Sequence, residues 1–262
     1  MKPVLAKTVS LDKPGEQTIY TPENRESKKT MESSEIKKNV TKILQSIPTG
    51  VSLVAAAKTR TSKEVKAAVQ AGVKIIGHNY VQEAESMYED IGEWSRSHGV
   101  KWHFIGHLQR NKAKKAVQMF DMIETLDSVR LAKKLQQECE KADRTMDVLI
   151  EVNSGDESNK TGVAPEEVKQ LVSEISFMDR LRIKGLMTMG PFDGDPEDTR
   201  PYFRLTKNLF EDLSRASVKN VSMEILSMGM SNSYPQAIEE GSNMVRIGTS
   251  LFGLRYTCAI KT

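Results

Sequence analysis

Short apolar runs alternate with amphipathic segments along most of this chain. Runs of about four to eight apolar or small residues, bounded by polar positions, are typical of strands buried on both faces of a parallel sheet. Between these runs, apolar residues recur about every three or four positions, as they do on the buried face of a helix. Eight strands are predicted: 52–57, 73–77, 102–106, 122–125, 148–152, 183–187, 223–227 and 244–247.

The first 30 residues lack this pattern. They mix Lys, Glu, Thr and Pro without an apolar period, so we predict a mobile N-terminal extension that buries too little surface to fold by itself. The folded domain is expected over residues 31 to 262. It opens with a helix whose apolar residues run from Ile36 to Ile47 and which ends at Pro48.

Alternating strand and helix units of this number predict a single (β/α)8 barrel, or TIM barrel, of the α/β class. Such barrels are about 250 residues long, which matches the part of the chain after the extension. An open, doubly wound sheet is the alternative fold. The GxGxxG turn that its dinucleotide-binding members carry after the first strand is absent.

The charge and the cysteine content of the chain limit the classes of binding partner and the cellular compartment that we expect. The chain has 38 Lys and Arg against 35 Asp and Glu, a net charge of +3, which argues against binding to nucleic acid or to an anionic membrane. Its two cysteines, Cys139 and Cys258, form no CxxC pattern, so neither a disulfide framework nor a zinc site is expected. With no signal-peptide pattern and no apolar run near the roughly 20 residues of a membrane span, we expect a cytoplasmic protein.

Lys58 directly follows the buried run Leu53 to Ala57. In a TIM barrel the active site forms at the C-terminal ends of the strands, so this amine is expected at the mouth of the barrel. Burial disfavours the ammonium ion and lowers a lysine pKa, and the neutral amine is a nucleophile toward carbonyls. This chemistry indicates a Schiff-base lysine, whose carbonyl belongs to a substrate or to pyridoxal phosphate. The alternative is a lysine that only caps the strand, reaching solvent or pairing with Glu83.

The ends of the last two predicted strands supply small residues and hydroxyls. Gly229 and Ser231 follow the seventh strand, and Gly248 and Thr249 follow the eighth. The corresponding loops of TIM barrels commonly bind phosphate, with backbone N–H groups at a helix N-terminus as donors. Together with Lys58, these residues indicate a site for a phosphorylated aldehyde.

Arg246 lies inside the eighth predicted strand, where a charge needs a partner. One interpretation is a buried ion pair with a carboxylate of a neighbouring strand, for example Glu224. The other is that its guanidinium faces the ring nitrogen of a bound pyridine. Because an arginine holds its proton tightly, it would keep that nitrogen unprotonated.

Several segments, in order, carry a resemblance to a known family. They are VAAAKTR, NYVQEA, WHFIGHLQRNK, LMTM and LSMGMSNSYPQAIEEGSNMVRIGTSLFG, and the match runs from about residue 35 to residue 255. In these segments the chain resembles the pyridoxal 5′-phosphate (PLP) homeostasis proteins and, through them, the N-terminal barrel domain of alanine racemase.

The resemblance implies a lone (β/α)8 barrel that carries PLP as an imine on a lysine. The cofactor-binding residues that it implies are Lys58, Asn79, Ser231, Arg246, Gly248 and Thr249. In that arrangement the serine, glycine and threonine hold the phosphate and the arginine contacts the pyridine nitrogen. The family's role is to buffer or deliver PLP, with PLP-dependent apo-enzymes as recipients and no metal. We expect a monomer or weak homodimer, and no catalytic residue is assigned.

One residue departs from the family pattern. Family members commonly carry glutamate before the Asn-Tyr pair, where this chain has His78. A histidine changes its charge near neutral pH, so it would alter the electrostatics of the pocket and the affinity for the cofactor.

Enzymatic functions remain as alternatives. One is a slow PLP-dependent racemase with Lys58 as one base and Tyr234 or His107 as the other. Another is a metal-independent aldolase that uses Lys58 directly on its substrate. A metal site at His103 and His107 lacks the HExxH pattern and is not expected.

Overall fold

The structure is a computed structural model that describes residues 7–10, 17–20, 31–155, 161–190, 194–216 and 218–254. Within these ranges, eight parallel strands form a closed barrel. In chain order the barrel strands are β1 Ser52–Ala56, β2 Ile75–His78, β3 Lys101–Phe104, β4 Met122–Leu126, β5 Met146–Glu151, β6 Leu181–Thr188, β7 Val221–Met228 and β8 Met244–Ile247.

Helices alternate with these strands and surround the barrel. The α-helices of the described residues are α1 Ser33–Ser46, α2 Ser62–Gln70, α3 Val81–Ser97, α4 Ala113–Met119, α5 Val129–Lys141, α6 Val168–Ile175, α7 Arg200–Arg215, α8 Tyr234–Glu239 and α9 Thr249–Phe252. Before the barrel, strand Lys7–Ser10 pairs antiparallel with strand Gln17–Tyr20. In the part of the chain that the structure describes, no helix has the length and apolar content needed to cross a bilayer.

Parallel pairing of β8 with β1 closes the barrel. Ile247 lies opposite Ala55, and Arg246 lies opposite Val54. The two strands end at the same rim, so the loops that follow them are neighbours. This register brings the residues after Ala56 next to those after Ile247.

Alternation along the strands divides the core into an outer and an inner layer. Val245 and Ile247 pack outward against a buried face of α1 that includes Ile36 and Val40. Val54 and Met244 belong instead to a small apolar cluster inside the barrel. Residue Arg246, two positions beyond Met244, therefore points inward as well.

The predicted fold is confirmed, and the open doubly wound alternative is wrong. All eight predicted strands are present, with ends that differ by two residues or fewer. The predicted first helix corresponds to α1, which begins three residues earlier, at Ser33. The mobile extension over residues 1 to 30 stays a prediction, because most of these residues lie outside the described ranges.

Gly185 of β6 packs so closely against β7 that a side chain has no room there. Its φ is +152°, and a Cβ built there would lie 1.8 Å from the carbonyl oxygen of Ile225. We expect Gly185→Ala to lower the free energy of unfolding by more than about 2 kcal/mol, because the methyl group would push two paired strands apart. Urea denaturation followed by circular dichroism measures this change.

Gly50→Ala is the matched control for that substitution. Gly50 also has a positive φ, +93°, but a Cβ there meets nothing within 4 Å. It should cost only the backbone strain of about 1 kcal/mol. Equal losses for the two variants would show that the close contact at Gly185 does not constrain the barrel.

Candidate functional site

Lys58 lies two residues beyond the end of β1, at the C-terminal rim of the barrel. Its side chain is half-buried. The amine Nζ donates to the hydroxyl Oη of Tyr80 at 2.9 Å and lies 4.6 Å from the centre of the Tyr80 ring. Tyr80 precedes α3, so the rim after β2 orients the lysine that follows β1.

The backbone after Lys58 is held in an unusual conformation. Thr59 has a φ of +63°, in the left-handed region that non-glycine residues seldom occupy. Its N–H donates to Oε2 of Glu83 at 3.0 Å, and α2 begins soon afterwards with a capping box formed by Thr61 and Glu64. The alternative in which Lys58 pairs with Glu83 differs from the structure, where Glu83 binds the neighbouring backbone and the lysine donates to Tyr80.

Ser231, Gly248 and Ser250 form a group of donors and acceptors at the same rim. The Ser231 hydroxyl accepts the N–H of Gly248 at 3.1 Å and the N–H of Ser250 at 3.4 Å. Thr249, the first residue of α9, is exposed. The loops after β7 and β8 are thus joined around N–H groups that face a hydroxyl oxygen.

The β8 loop lies directly beside the end of β1. A Cβ built on Gly248 would meet Ala56 at 3.5 Å, in ordinary contact. The guanidinium of Arg60 donates to the carbonyl oxygens of Phe252 at 2.9 Å and Gly253 at 2.6 Å, at the end of α9. The loop that carries Lys58 is therefore tied to the end of α9, which follows Gly248.

Arg246 is buried inside the barrel, with 4% of its surface exposed. Its Nη1 donates to Oγ of Ser227 at 2.5 Å, and its Nη2 donates to the carbonyl oxygen of Thr188 at 2.8 Å. Burial lowers the pKa of Arg246 from its ordinary value, while the carboxyl groups of Glu124 and Glu151 act in the opposite direction.

The carboxylate partner of Arg246 is Glu124 of β4, with Nη1 4.0 Å from Oε2. The suggested pair with Glu224 is wrong, because Glu224 of β7 is exposed and binds Lys184 at 2.9 Å. Glu124 also contacts Nδ1 of His103 at 2.7 Å. Burial would raise the pKa of Glu124, but its contacts with His103 and Arg246 outweigh burial and hold that pKa below the ordinary value.

Asn79 and His78, both at the end of β2, have different surroundings. Asn79 is half-buried, and its backbone lies so close to Gly106 that a Cβ there would be 2.3 Å from the Asn79 carbonyl oxygen. His78 is buried and stacks on Trp102, with ring centres 4.9 Å apart, in the layer between barrel and helices. Burial lowers the pKa of His78 to about 3. The His78 ring therefore faces away from the barrel mouth, and its effect on the affinity for the cofactor stays a prediction.

The residues considered for a second base or for a metal are dispersed. Tyr234 begins α8, and its hydroxyl lies 3.1 Å from Oγ of Ser46 on α1. The side chain of His107 is 54% exposed and lies 3.6 Å from Asp127. His103 belongs to the interior of the barrel, and among the described residues no group of three or more His, Cys, Asp or Glu side chains could hold a metal ion.

Tyr80, Glu124 and Ser227 were not assigned to the site from the sequence. A signal existed for Glu124, since a glutamate inside the apolar strand Met122–Leu126 must face either a partner or water. Ser227 and Tyr80 carry no such signal. Their importance comes from contacts with residues far away in the chain.

Comparison with known proteins identifies the family. The family model described as "Alanine racemase, N-terminal domain" matches residues 31 to 256. A pyridoxal phosphate homeostasis protein of Aquifex aeolicus (strain VF5) is 41% identical over 203 residues, which cover 78% of this chain and 86% of that protein. The chain belongs to the pyridoxal phosphate homeostasis protein family.

Solved structures of PipY from Synechococcus elongatus PCC7942 are similar to this barrel. The form without PLP has a TM-score of 0.78 and 30% identity, and covers 83% of this chain and all of that one. The form with PLP bound has a TM-score of 0.75 and 28% identity over the same 83% of this chain. The architecture of this family is therefore that of the barrel described above.

The buried His78 makes stability depend on pH. Its pKa is about 3 in the folded chain and about 6.5 when unfolded, so only the unfolded chain gains a proton between these values. Stability is thus lost as pH falls below about 6.5, down to about 3. The variant His78→Phe keeps an aromatic ring against Trp102 but has no group that titrates. When the pH falls from 7 to 5, we expect its free energy of unfolding to decrease by about 2 kcal/mol less than that of the unaltered protein.

Urea denaturation at the two pH values measures that difference. His98→Phe is the control, because it makes the same substitution at an exposed histidine at the end of α3. The assignment fails if His78→Phe and the unaltered protein lose the same free energy on acidification.

Proposed function

We propose that this protein binds PLP as a Schiff base on Lys58 and serves PLP homeostasis inside the cell by buffering or delivering the cofactor. When bound, PLP supplies an aldehyde that condenses with amines and a pyridine ring that withdraws electrons. The name of the Aquifex relative and the PLP-bound form of PipY support the proposal. The site of this chain supports it independently.

The residues at the rim fit the chemical groups of this cofactor. An amine meets the need for a covalent partner of the aldehyde. The Ser231 hydroxyl oxygen accepts the N–H groups of Gly248 and Ser250, and the hydroxyl can donate its own proton to a phosphate; hydroxyl and N–H donors of this kind bind phosphate in proteins. Gly248 has no side chain to cover these donors, and an added methyl would contact only Ala56. We therefore assign Ser231, Gly248 and Thr249 to the phosphate.

Arg246 and Asn79 complete the proposed site. Arg246 would present a permanent positive charge to the pyridine nitrogen from inside the barrel, since both of its terminal nitrogens are anchored below the rim. Asn79 follows β2, next to Tyr80, and would line the cofactor on that side.

One observation carries the proposal. The half-buried amine of Lys58 and the phosphate-type donors lie on adjacent strand ends, in a register fixed by Ile247 opposite Ala55. The strand-capping role of a lysine does not explain why Ser231, Gly248 and Ser250 lie at the same rim. The guanidinium of Arg60, bound to the carbonyl oxygens of Phe252 and Gly253, holds the loop that carries Lys58 to the end of α9.

A carrier role agrees with the surroundings of the two residues considered as a second base. Tyr234 is engaged with α1 through Ser46, and His107 is largely exposed. We include in the proposal a cytoplasmic location, PLP-dependent apo-enzymes as recipients, and a monomer or weak homodimer. We assign no catalytic residue.

Absorption spectroscopy of the purified protein tests the covalent assignment. We expect the protein to absorb visible light and Lys58→Ala to lose this band completely, because the substitution removes the amine that forms the imine. Borohydride should fix a pyridoxyl group on Lys58, which peptide mass spectrometry detects.

Two variants sharpen that test. Lys58→Arg retains a positive charge but no condensing amine, so it should lose the band as well. Lys63→Ala removes an exposed lysine of α2 and should keep the band. A visible band that survives in Lys58→Ala, with the pyridoxyl group on another residue, would refute the assignment.

Arg246→Ala should keep the covalent linkage but change the environment of the pyridine ring. We expect a shifted absorption maximum and an affinity for PLP that is roughly 10-fold or more weaker, because a hydrogen bond to a charged group is lost. Titration of the cofactor-free protein with PLP measures both. An unchanged spectrum together with an unchanged affinity for PLP would refute the assigned contact between Arg246 and the pyridine nitrogen.

A further inference from the structure

A continuous chain of hydrogen bonds crosses the interior of the barrel beneath the rim. It runs from His103 of β3 to Glu124 of β4, then to Ser227 of β7 and Arg246 of β8. All four residues are at most 4% exposed. The contacts measure 2.7 Å, 2.7 Å and 2.5 Å along this order. We call these four residues the interior relay.

The chemistry of the groups fixes the direction of each hydrogen bond. An ionised carboxylate only accepts, so Nδ1 of His103 donates to Oε1 of Glu124, and the Ser227 hydroxyl donates to Oε2. The serine has a single proton, which is thereby committed to Glu124. Its lone pairs face Nη1 of Arg246, which can only donate. By accepting the hydroxyl proton, Glu124 orients Ser227 so that its oxygen accepts a hydrogen bond from the Arg246 guanidinium.

Glu124 is also the carboxylate that balances the charge of Arg246. The other carboxyl group acting on Arg246 is Glu151, whose Oε1 accepts the Thr161 hydroxyl at 2.7 Å. Burial raises the pKa of Glu151, whereas contacts with His103 and Arg246 hold the pKa of Glu124 below its ordinary value. The carboxylate oxygen placed beside the guanidinium is Oε2 of Glu124, 4.0 Å from Nη1.

We propose that Glu124 is a positioning residue for the cofactor: through Ser227 it sets the place and orientation of the Arg246 guanidinium, and His103 in turn orients Glu124. The inference rests on the proposed function, since Arg246 is assigned to the pyridine nitrogen there. Glu124 itself does not touch the cofactor. The affinity for PLP and the electronic environment of its ring are set partly from β4, on the far side of the barrel.

Glu124→Gln tests this role with little change of shape. The amide keeps an acceptor but loses the charge, and it presents N–H groups to one of two neighbours that also donate. We expect an affinity for PLP that is about 10-fold weaker and a shift of the visible absorption maximum in the same direction as in Arg246→Ala. Ser227→Ala, which interrupts the relay without touching either charge, should shift both quantities in the same direction.

A double-mutant cycle distinguishes positioning from a general effect on the fold. If Glu124 acts through Arg246, adding Glu124→Gln to Arg246→Ala should change the affinity and the absorption maximum no further. Glu138→Gln is the matched control: this buried carboxylate of α5 binds Lys134 and Lys141 and lies outside the relay, so the variant should bind PLP as the unaltered protein does. Thermal melts of the cofactor-free variants show which of them are folded.

The outcomes separate the two proposals. Absence of PLP binding by the unaltered protein would refute the proposed function and this inference with it. Normal PLP binding by the unaltered protein, with the same affinity and spectrum in folded Glu124→Gln, would overturn the inference alone. Equal losses from Glu124→Gln with and without Arg246 would also overturn it, because the glutamate would then act independently of the guanidinium.

Discussion

The hydrogen-bonded pairing of β8 with β1 closes the barrel, and the site depends on its register. With Ile247 opposite Ala55, Gly248 and Lys58 emerge at the same rim. A slip of one residue would reverse the alternation of β8 and turn Arg246 outward, toward α1. Because α1 covers the seam with Ile36 and other buried residues, that slip would also place a charge in an apolar layer.

The interior of the barrel combines an apolar floor with charged groups nearer the mouth. Met122 and Leu149 lie in one apolar cluster, and Glu124 and Glu151 occur two residues further along the same strands. Buried charges cost free energy unless they are paired and hydrogen-bonded. Here Arg246 has acceptors for both terminal nitrogens, and Glu124 has donors for both oxygens. The mouth can therefore hold a fixed positive charge without direct access to water.

Much of the fold could be predicted because burial on both faces leaves a simple pattern. Each barrel strand is a short apolar run, and the loop residues after it fall at one rim by the rules of parallel barrels. For that reason Lys58, Asn79, Ser231, Gly248 and Thr249 could be placed at strand ends before any coordinates. The register between strands could not be predicted in this way. The close approach of Gly185 to Ile225 depends on how two strands pair, and the pattern of residues along one strand does not contain that information.

The errors at the site have a common physical origin. Glu83 was considered as a partner of Lys58, and Glu224 as a partner of Arg246, only as alternatives that rested on charge and neighbouring position. Charge identifies a need for a partner, whereas the partner is chosen by where the fold places each side chain. Glu224 is exposed and binds Lys184, while Glu124 reaches Arg246 from β4 inside the barrel.

His78 shows that a residue next to a site residue in the sequence can lie outside the site. It directly precedes Asn79 in the chain, yet alternation along β2 sends its ring outward against Trp102. Proximity in sequence to a site residue is thus poor grounds for a role in the site. The contacts that define this site join residues 17 to 193 positions apart, from Ser231 with Gly248 to Arg60 with Gly253, so they are properties of barrel closure rather than of any single motif.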